Sequence, residues 1–265
     1  MLYLKGMDPR DLLVQEEFDR QAERWFRREL SAQERAMLEQ FVQLAQIRPD
    51  DRVLDVACGT GLVSFVCAPC AREVVGVDIS PGMLAKARAL RHAREVHNVH
   101  FVLGEAEHLP FKDSEFDVVV CRLAVHHFPQ PEREIREMAR VLKVGGRLVI
   151  SDTISSEDER EARLHNALER LRDPSHARML SQTELRTLIE GVGLRISEVH
   201  TQTRDRTYEE WMEVIADPIR TENLKVVMEE LARAGVSAGL RLRLENDQLW
   251  LTHTIAFVKA LKDHS

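Results

Sequence analysis

A chain of 265 residues, 44% hydrophobic and 31% charged, can bury the core of one large α/β domain with room for a modest insertion. Its net charge of −7 argues against a basic nucleic-acid-binding surface, although a local basic pocket remains open to it. No apolar run reaches the roughly 18 residues that cross a bilayer, and Met1 to Arg10 lack the features of a signal peptide. The expectation is a cytoplasmic protein with no membrane span and no nucleic-acid partner; its oligomeric state is open, a dimer included.

The first fifty residues read as helical. Phe18, Ala22, Trp25 and Phe26 form one apolar stripe, and Ser31-Ala32-Gln33-Glu34 is a capping box opening a second helix, with Met37, Leu38, Phe41, Val42 and Ala45 at helical spacing. From Arg52 onward strands and helices alternate. The strands run from Val53 to Val56, Glu73 to Val77, Val99 to Leu103, Phe116 to Cys121 and Arg147 to Ser151. Ser80 and Pro81 start a helix that buries Met83, Leu84, Ala87 and Leu90; another carries Ile135, Met138, Ala139 and Leu142 on one face and stops at Gly145-Gly146. Such alternation predicts a parallel sheet covered on both faces.

Beyond Asp152 the pattern loosens. A charged helix from Glu157 to Arg172 turns Leu164, Leu168 and Leu171 inward, and a capping box at Ser181 to Glu184 opens a helix that ends at Gly193. A strand from Arg195 to Thr203, helices from Tyr208 to Ala216 and Glu222 to Ala234, and a strand from Leu249 to Val258 follow. The organisation expected is a helical lid segment over residues 1–50 and one α/β domain over 51–265, embellished by helices around 155–180 and 206–236.

Among the four cysteines, Cys67 and Cys70 have the spacing of a redox or zinc pair. No second pair exists, and this one closes a helix rather than opening it, so both read as buried, inert thiols. His92, His97 and His100 read as residues of a loop, and no metal site is expected.

Three elements carry chemistry. In Val53-Leu54-Asp55-Val56-Ala57-Cys58-Gly59-Thr60-Gly61 a strand ends, a glycine turn follows and a helix starts, which lets backbone approach a ligand closely. Asp78 closes the second strand, where an acid can accept both hydroxyls of a ribose; alternatively it caps the next helix, a job for which Ser80 is better placed. Gly104-Glu105-Ala106-Glu107 follows the third strand, where Glu105 can accept from an adenine amine and a neighbouring N–H can serve a ring nitrogen.

Together with Phe116 to Val120 and Val141 to Gly146, these elements resemble the successive motifs of class I S-adenosylmethionine-dependent methyltransferases, and most closely the UbiE-like group. The resemblance spans roughly Val14 to Ser151. It implies a Rossmann-like, doubly wound sheet of seven strands with an antiparallel last strand, helical lid or cap segments, and S-adenosylmethionine as cofactor. It also implies a methionine moiety near Asp55, Ala57, Gly59 and Gly61, with Arg122 in the same site. The ribose would lie on Asp78 and the adenine near Ile79, Met83, Glu105 and Ala106, with Phe18 and Trp25 of a lid helix over the cofactor. Ala57 replaces the usual first glycine and keeps its small size; Glu105 replaces a commoner Asp and keeps the carboxylate.

A nicotinamide enzyme has an acid at nearly the same spacing, but its fingerprint wants Gly or Ala where Ser64 stands. A binding protein without catalysis is the other alternative. For an enzyme, the acceptor is a small molecule of unstated identity. His126 and His127 follow the fourth strand and, being adjacent, are expected to point apart, with one of them a candidate base. Asp152 ends the fifth strand and faces the cleft or caps the next segment. Arg170, Arg172 and His176 are candidate substrate contacts, the guanidinium groups suiting an acidic group.

Overall fold

The computed structural model describes residues 9–215 and 217–263. Nine helices and eight strands are found among them. In chain order they are α1 (Pro9–Arg27), α2 (Ala32–Ala45), β1 (Arg52–Val56), α3 (Leu62–Cys67), β2 (Glu73–Asp78), α4 (Pro81–Ala93), β3 (Val99–Leu103), β4 (Phe116–Arg122), α5 (Pro131–Val141), β5 (Leu142–Ile154), α6 (Glu159–Arg172), α7 (Gln182–Gly191), β6 (Arg195–Thr207), α8 (Tyr208–Met212), α9 (Pro218–Arg233), β7 (Arg243–Glu245) and β8 (Gln248–Leu261).

The strands form one sheet in the order β3-β2-β1-β4-β5-β8-β6. β1 to β5 pair in parallel and β8 runs antiparallel to both its neighbours. This is the expected seven-stranded doubly wound sheet with one addition: β7 forms a hairpin with the start of β8 and makes the eighth strand. Alternate residues of the parallel strands feed two cores. Leu54, Val56, Val75 and Val119 meet α5 and α7 on one face; Val53, Val74, Val118 and Val120 meet α2 and α3 on the other. A third core, built on Leu168, Tyr208, Trp211, Leu224, Met228 and Leu249, joins α6, α8, α9 and the hairpin into a cap.

Several expectations shift. The helix bearing Ile135 and Met138 stops at Val141, because Leu142 already pairs with Phe116 and points into the core; Gly145 and Gly146 lie in the resulting bulge of β5. Leu171 is 56% exposed, so of the three leucines of α6 only Leu168 is fully inward. The helix expected from Tyr208 ends at Met212, and Ala216 lies outside the described residues, as do residues 1–8. Cys67 is buried but Cys70 is exposed; both are free thiols. His92 sits in α4 and His100 in β3, which removes two of the three histidines assigned to a loop. Within residues 1–50, α2 is a core helix whose Phe41 is fully buried, while α1 and the segment from Arg28 to Glu34 reach the cavity.

The turn after β1 is tightly wound. Ala57, Gly59 and Gly61 all take positive φ, at 55°, 55° and 84°. A Cβ on Gly61 would stand 2.8 Å from the Phe101 ring and 2.9 Å from that of Phe65, whereas one on Gly59 would meet nothing within 4 Å. Gly61 therefore serves helix–sheet packing, and Gly59 is the glycine that faces open space. Ala57 is small enough for the turn, but its φ, rather than its size, explains why glycine is usual there. Gly61→Ala should lower stability by about 2–4 kcal/mol, combining left-handed backbone strain with overpacking, as read by urea unfolding; an unchanged midpoint would contradict this reading of the turn.

Candidate functional site

Because β1 to β5 are parallel, their C-terminal ends share one rim, and the loops leaving them surround a cavity of about 360 Å³. Asp78 ends β2 at this rim. Its carboxylate accepts the Gly59 N–H at 2.7 Å and the Ser80 N–H at 2.9 Å, so one side chain ties two strand ends together. Burial disfavours its charge and pushes its pKa up to about 6, against those two hydrogen bonds. Asp55, one strand over, accepts the Ser64 hydroxyl at 2.6 Å; burial raises its pKa to about 7. Ser64 thus occupies, with a buried hydroxyl, the position where a dinucleotide fingerprint needs Gly or Ala.

Ala57, Gly59, Ile79, Met83, Glu105, Ala106 and Arg122 also line the cavity. The set offers two carboxylates at the ends of β2 and β3, apolar walls from Ile79, Met83 and Ala106, and a turn whose open side is unobstructed at Gly59. Donor-rich ribose hydroxyls and a flat apolar purine suit such a surface, so the residues present fit an adenosyl group. Ser80, not Asp78, caps α4, accepting the Met83 N–H at 3.0 Å.

Helix α1 crosses the mouth. Asp19 accepts from the Ser80 hydroxyl at 2.5 Å and the Gly82 N–H at 2.8 Å, and Glu23 pairs with Lys86, which docks α1 onto the start of α4. Phe18 and Trp25 both reach the cavity, and the Phe18 ring sits edge-on to His127 at 4.8 Å between centroids.

The opposite end of the cavity is polar. His126 and His127 both line it, with ring centroids 4.2 Å apart, where adjacency led us to expect one to turn away. A single tight turn after β4 makes this possible. Asp152 does not face the cavity: it lies within β5 at 2% exposure and accepts from the His126 ring at Nδ1 (2.5 Å) and from the backbone N–H groups of Ala124, His126 and Thr153. Burial works against a charged His126, but this carboxylate prevails and raises its pKa. His127 is the reverse. Burial, and then the neighbouring His126, push its pKa down to about 4.

The His127 tautomer follows from its partners. The Ser175 hydroxyl donates to Asp173 at 2.5 Å, so the Ser175 oxygen must accept from Nδ1–H of His127, at 3.0 Å. Nε2 is thereby left as a lone-pair acceptor. Asp173 also takes a hydrogen bond from Gln21 of α1.

Arg172 reaches the cavity, stacks over Trp211 at 5.1 Å and bonds Glu169 at 3.3 Å. His176 lines it too, held by Asn166 at 2.9 Å. Arg170 is exposed and bonds the Ala177 carbonyl, because successive helical positions around Arg172 face different directions. Sequence reasoning missed Glu169, Asp173, Ser175, Arg204, Arg206 and His253. The Arg204 and Arg206 pair carried a readable signal, since alternate positions of a strand share a face; His253 joins them only through the register that sets it opposite Arg204.

Residues 54–150 match the family model described as a methyltransferase domain. The chain is similar to the uncharacterized methyltransferase YcgJ of Bacillus subtilis, 36% identical over 172 residues that cover 65% of this chain and 68% of that protein. The crystal structure of YcgJ superposes with a TM-score of 0.81 at 28% identity, covering 87% of this chain and 100% of that one. The ubiquinone/menaquinone biosynthesis C-methyltransferase UbiE of Ectopseudomonas mendocina is 40% identical over 114 residues, 41% of this chain and 44% of that protein.

Asp78→Ala removes a carboxylate able to accept two hydroxyls, each charge-assisted bond being worth about 1.5–3 kcal/mol. Calorimetry with S-adenosylhomocysteine should show affinity down by at least about tenfold with the thermal unfolding transition still cooperative; unchanged affinity would remove Asp78 from the site.

Proposed function

This chain belongs to the class I S-adenosylmethionine-dependent methyltransferases, and on that premise we propose that it methylates a small-molecule acceptor held against His127, releasing S-adenosylhomocysteine. The cofactor supplies a sulfonium-bound, electrophilic methyl carbon, and transfer is an in-line displacement. What the protein must add is position, dryness and, where the acceptor carries a proton, a base.

Asp78 orients the ribose, Glu105 with the backbone of Ala106 orients the adenine, and Arg122 with Asp55 brackets the charged methionine end. Phe18 and Trp25 on α1 exclude water from the reacting end. His127 receives the acceptor's proton at Nε2. With Nδ1–H spent on Ser175, Nε2 carries the lone pair, and Asp173 acting through Ser175 stabilises the charge that develops, against the burial that makes the ring a weak base. Asp152 is a positioning residue: it bolts the loop bearing both histidines to β5.

The observation that carries this reading is the Asp173–Ser175–His127 chain of hydrogen bonds, which leaves Nε2 as the free acceptor of a ring that lines the cavity. Such an oriented relay supports catalysis over a merely binding role. A cavity of about 360 Å³ suits a small acceptor, and no helix among the described residues is long and apolar enough to cross a membrane.

With methyl-labelled cofactor and a fractionated metabolite extract, label should pass to a low-mass product. Transfer only to protein or nucleic acid would contradict the proposal. His127→Ala should slow that transfer by about 10²-fold and leave S-adenosylhomocysteine affinity unchanged; equal rates would show that no base acts there.

A further inference from the structure

The guanidinium groups around the deep end of the cavity are not equally satisfied. Arg28 and Arg204 share Glu34, and Arg172 bonds Glu169 and the Trp211 carbonyl. Arg206 is different. Among the described residues no carboxylate lies within ion-pair distance of it, its Nε is buried without a partner, and one of its two terminal nitrogens lies over the His253 ring, 3.3 Å and 3.5 Å from the two ring nitrogens. A charge this enclosed, with donors left over, is costly unless an anion completes it.

The neighbouring groups define which anion. Glu169 accepts from the His253 ring at Nε2 (2.9 Å) and from the Trp211 indole (3.2 Å), which holds the ring that Arg206 lies against. The guanidinium thus has a ring on one side, no protein acceptor for its Nε–H, and a place in the cavity wall. His165, Glu169 and His253 are close enough to suggest a cation site, their ligand atoms lying within 4.8 Å of one another. Arg206 against His253 speaks against a cation there, and Glu169 already spends Oε1 on two donors. Arg122 also lines the cavity without a carboxylate partner among the described residues, but it is the guanidinium placed at the methionine end; Arg206 is then the positive charge left for the acceptor, beside a buried carboxylate, and a monoanion balances it. Trp25, Phe128, Trp211, Val214 and Ile255 supply apolar wall to the same cavity.

We propose that Arg206 is the seat for a single carboxylate on the methyl acceptor, which is therefore an aromatic or otherwise apolar carboxylic acid. The planar fork of Arg206 receives the carboxylate, and the apolar walls hold the body of the molecule. This rests on the reading of the cavity as a methyltransferase site with His127 at its reacting end.

The probes are benzoate, its uncharged counterpart benzamide, and phenyl phosphate, titrated into protein saturated with S-adenosylhomocysteine. Wild type should bind benzoate at least about tenfold tighter than benzamide and tighter than phenyl phosphate. Arg206→Met should erase the preference for benzoate while retaining S-adenosylhomocysteine affinity, and Arg206→Lys should keep part of it. Benzoate binding no better than benzamide in wild type overturns the proposal without recourse to any variant, as does a preference that survives in Arg206→Met. Tighter binding of phenyl phosphate overturns the monoanion assignment. Failure of S-adenosylhomocysteine itself to bind is a separate result, and it would sink the underlying reading of the cavity instead.

Discussion

The hydrogen bond from the Gly59 N–H to the Asp78 carboxylate is the contact on which the site depends. It requires the chain leaving β1 to turn through positive φ at Ala57, Gly59 and Gly61, which swings that amide toward the end of β2. The sheet supplies the space above it. From β1 the chain builds outward through β2 and β3, then returns to β4 on the other side of β1, so the loops of β1 and β4 diverge and leave a crevice at the strand ends. A carboxylate buried in that crevice without the Gly59 and Ser80 amides would be desolvated and unpaired. With them it stays poised: its pKa near 6 leaves ionisation within reach of a ligand that brings hydroxyl donors.

The two ends of the cavity use burial in opposite ways. At the glycine-turn end it raises the pKa of Asp55 and Asp78, so that each carboxylate gains from a donor or a cationic ligand. At the histidine end it lowers the pKa of His127 to about 4 and of His176 to about 2, and does the same to His165 behind the wall, at about 4, keeping these rings neutral. His126 escapes because Asp152 is bonded directly to it. One loop after β4 therefore carries a histidine biased toward charge beside another biased against it. Helix α1 is bound into both ends, through Asp19 on α4 and through Gln21 on Asp173, so its position is coupled to cofactor loop and relay alike.

Legibility in the sequence followed locality. The glycine turn, Asp78, the Ser80 cap and the Glu105 loop each announce themselves within a few residues, and the alternation of strands and helices places them on one rim. The cap was less readable. Tyr208, Trp211 and Leu249 pack together from segments far apart in the chain, and the β7–β8 hairpin is too short to show a period. The helix bearing Ile135 reads longer in sequence than it is, because Gly145-Gly146 has the look of a helix stop while the true end is imposed by pairing of Leu142 with Phe116 across the sheet. Asp152 was misplaced for a related reason: β5 continues past it, which buries its side chain behind the histidine loop instead of opening it to the cleft. Ser175 and Asp173 gave no signal of their own, since their role exists only once a turn brings them to His127, 48 positions away from Ser175.

Proton linkage tests the central interaction most directly. If ribose hydroxyls donate to Asp78, its pKa falls from about 6 on binding and a proton leaves. Calorimetry of S-adenosylhomocysteine binding at pH 6, in two buffers of different ionisation enthalpy, should report release of about half a proton from this group, and Asp78→Asn should release correspondingly less. Equal proton release by wild type and Asp78→Asn, or net uptake by wild type, would contradict the account.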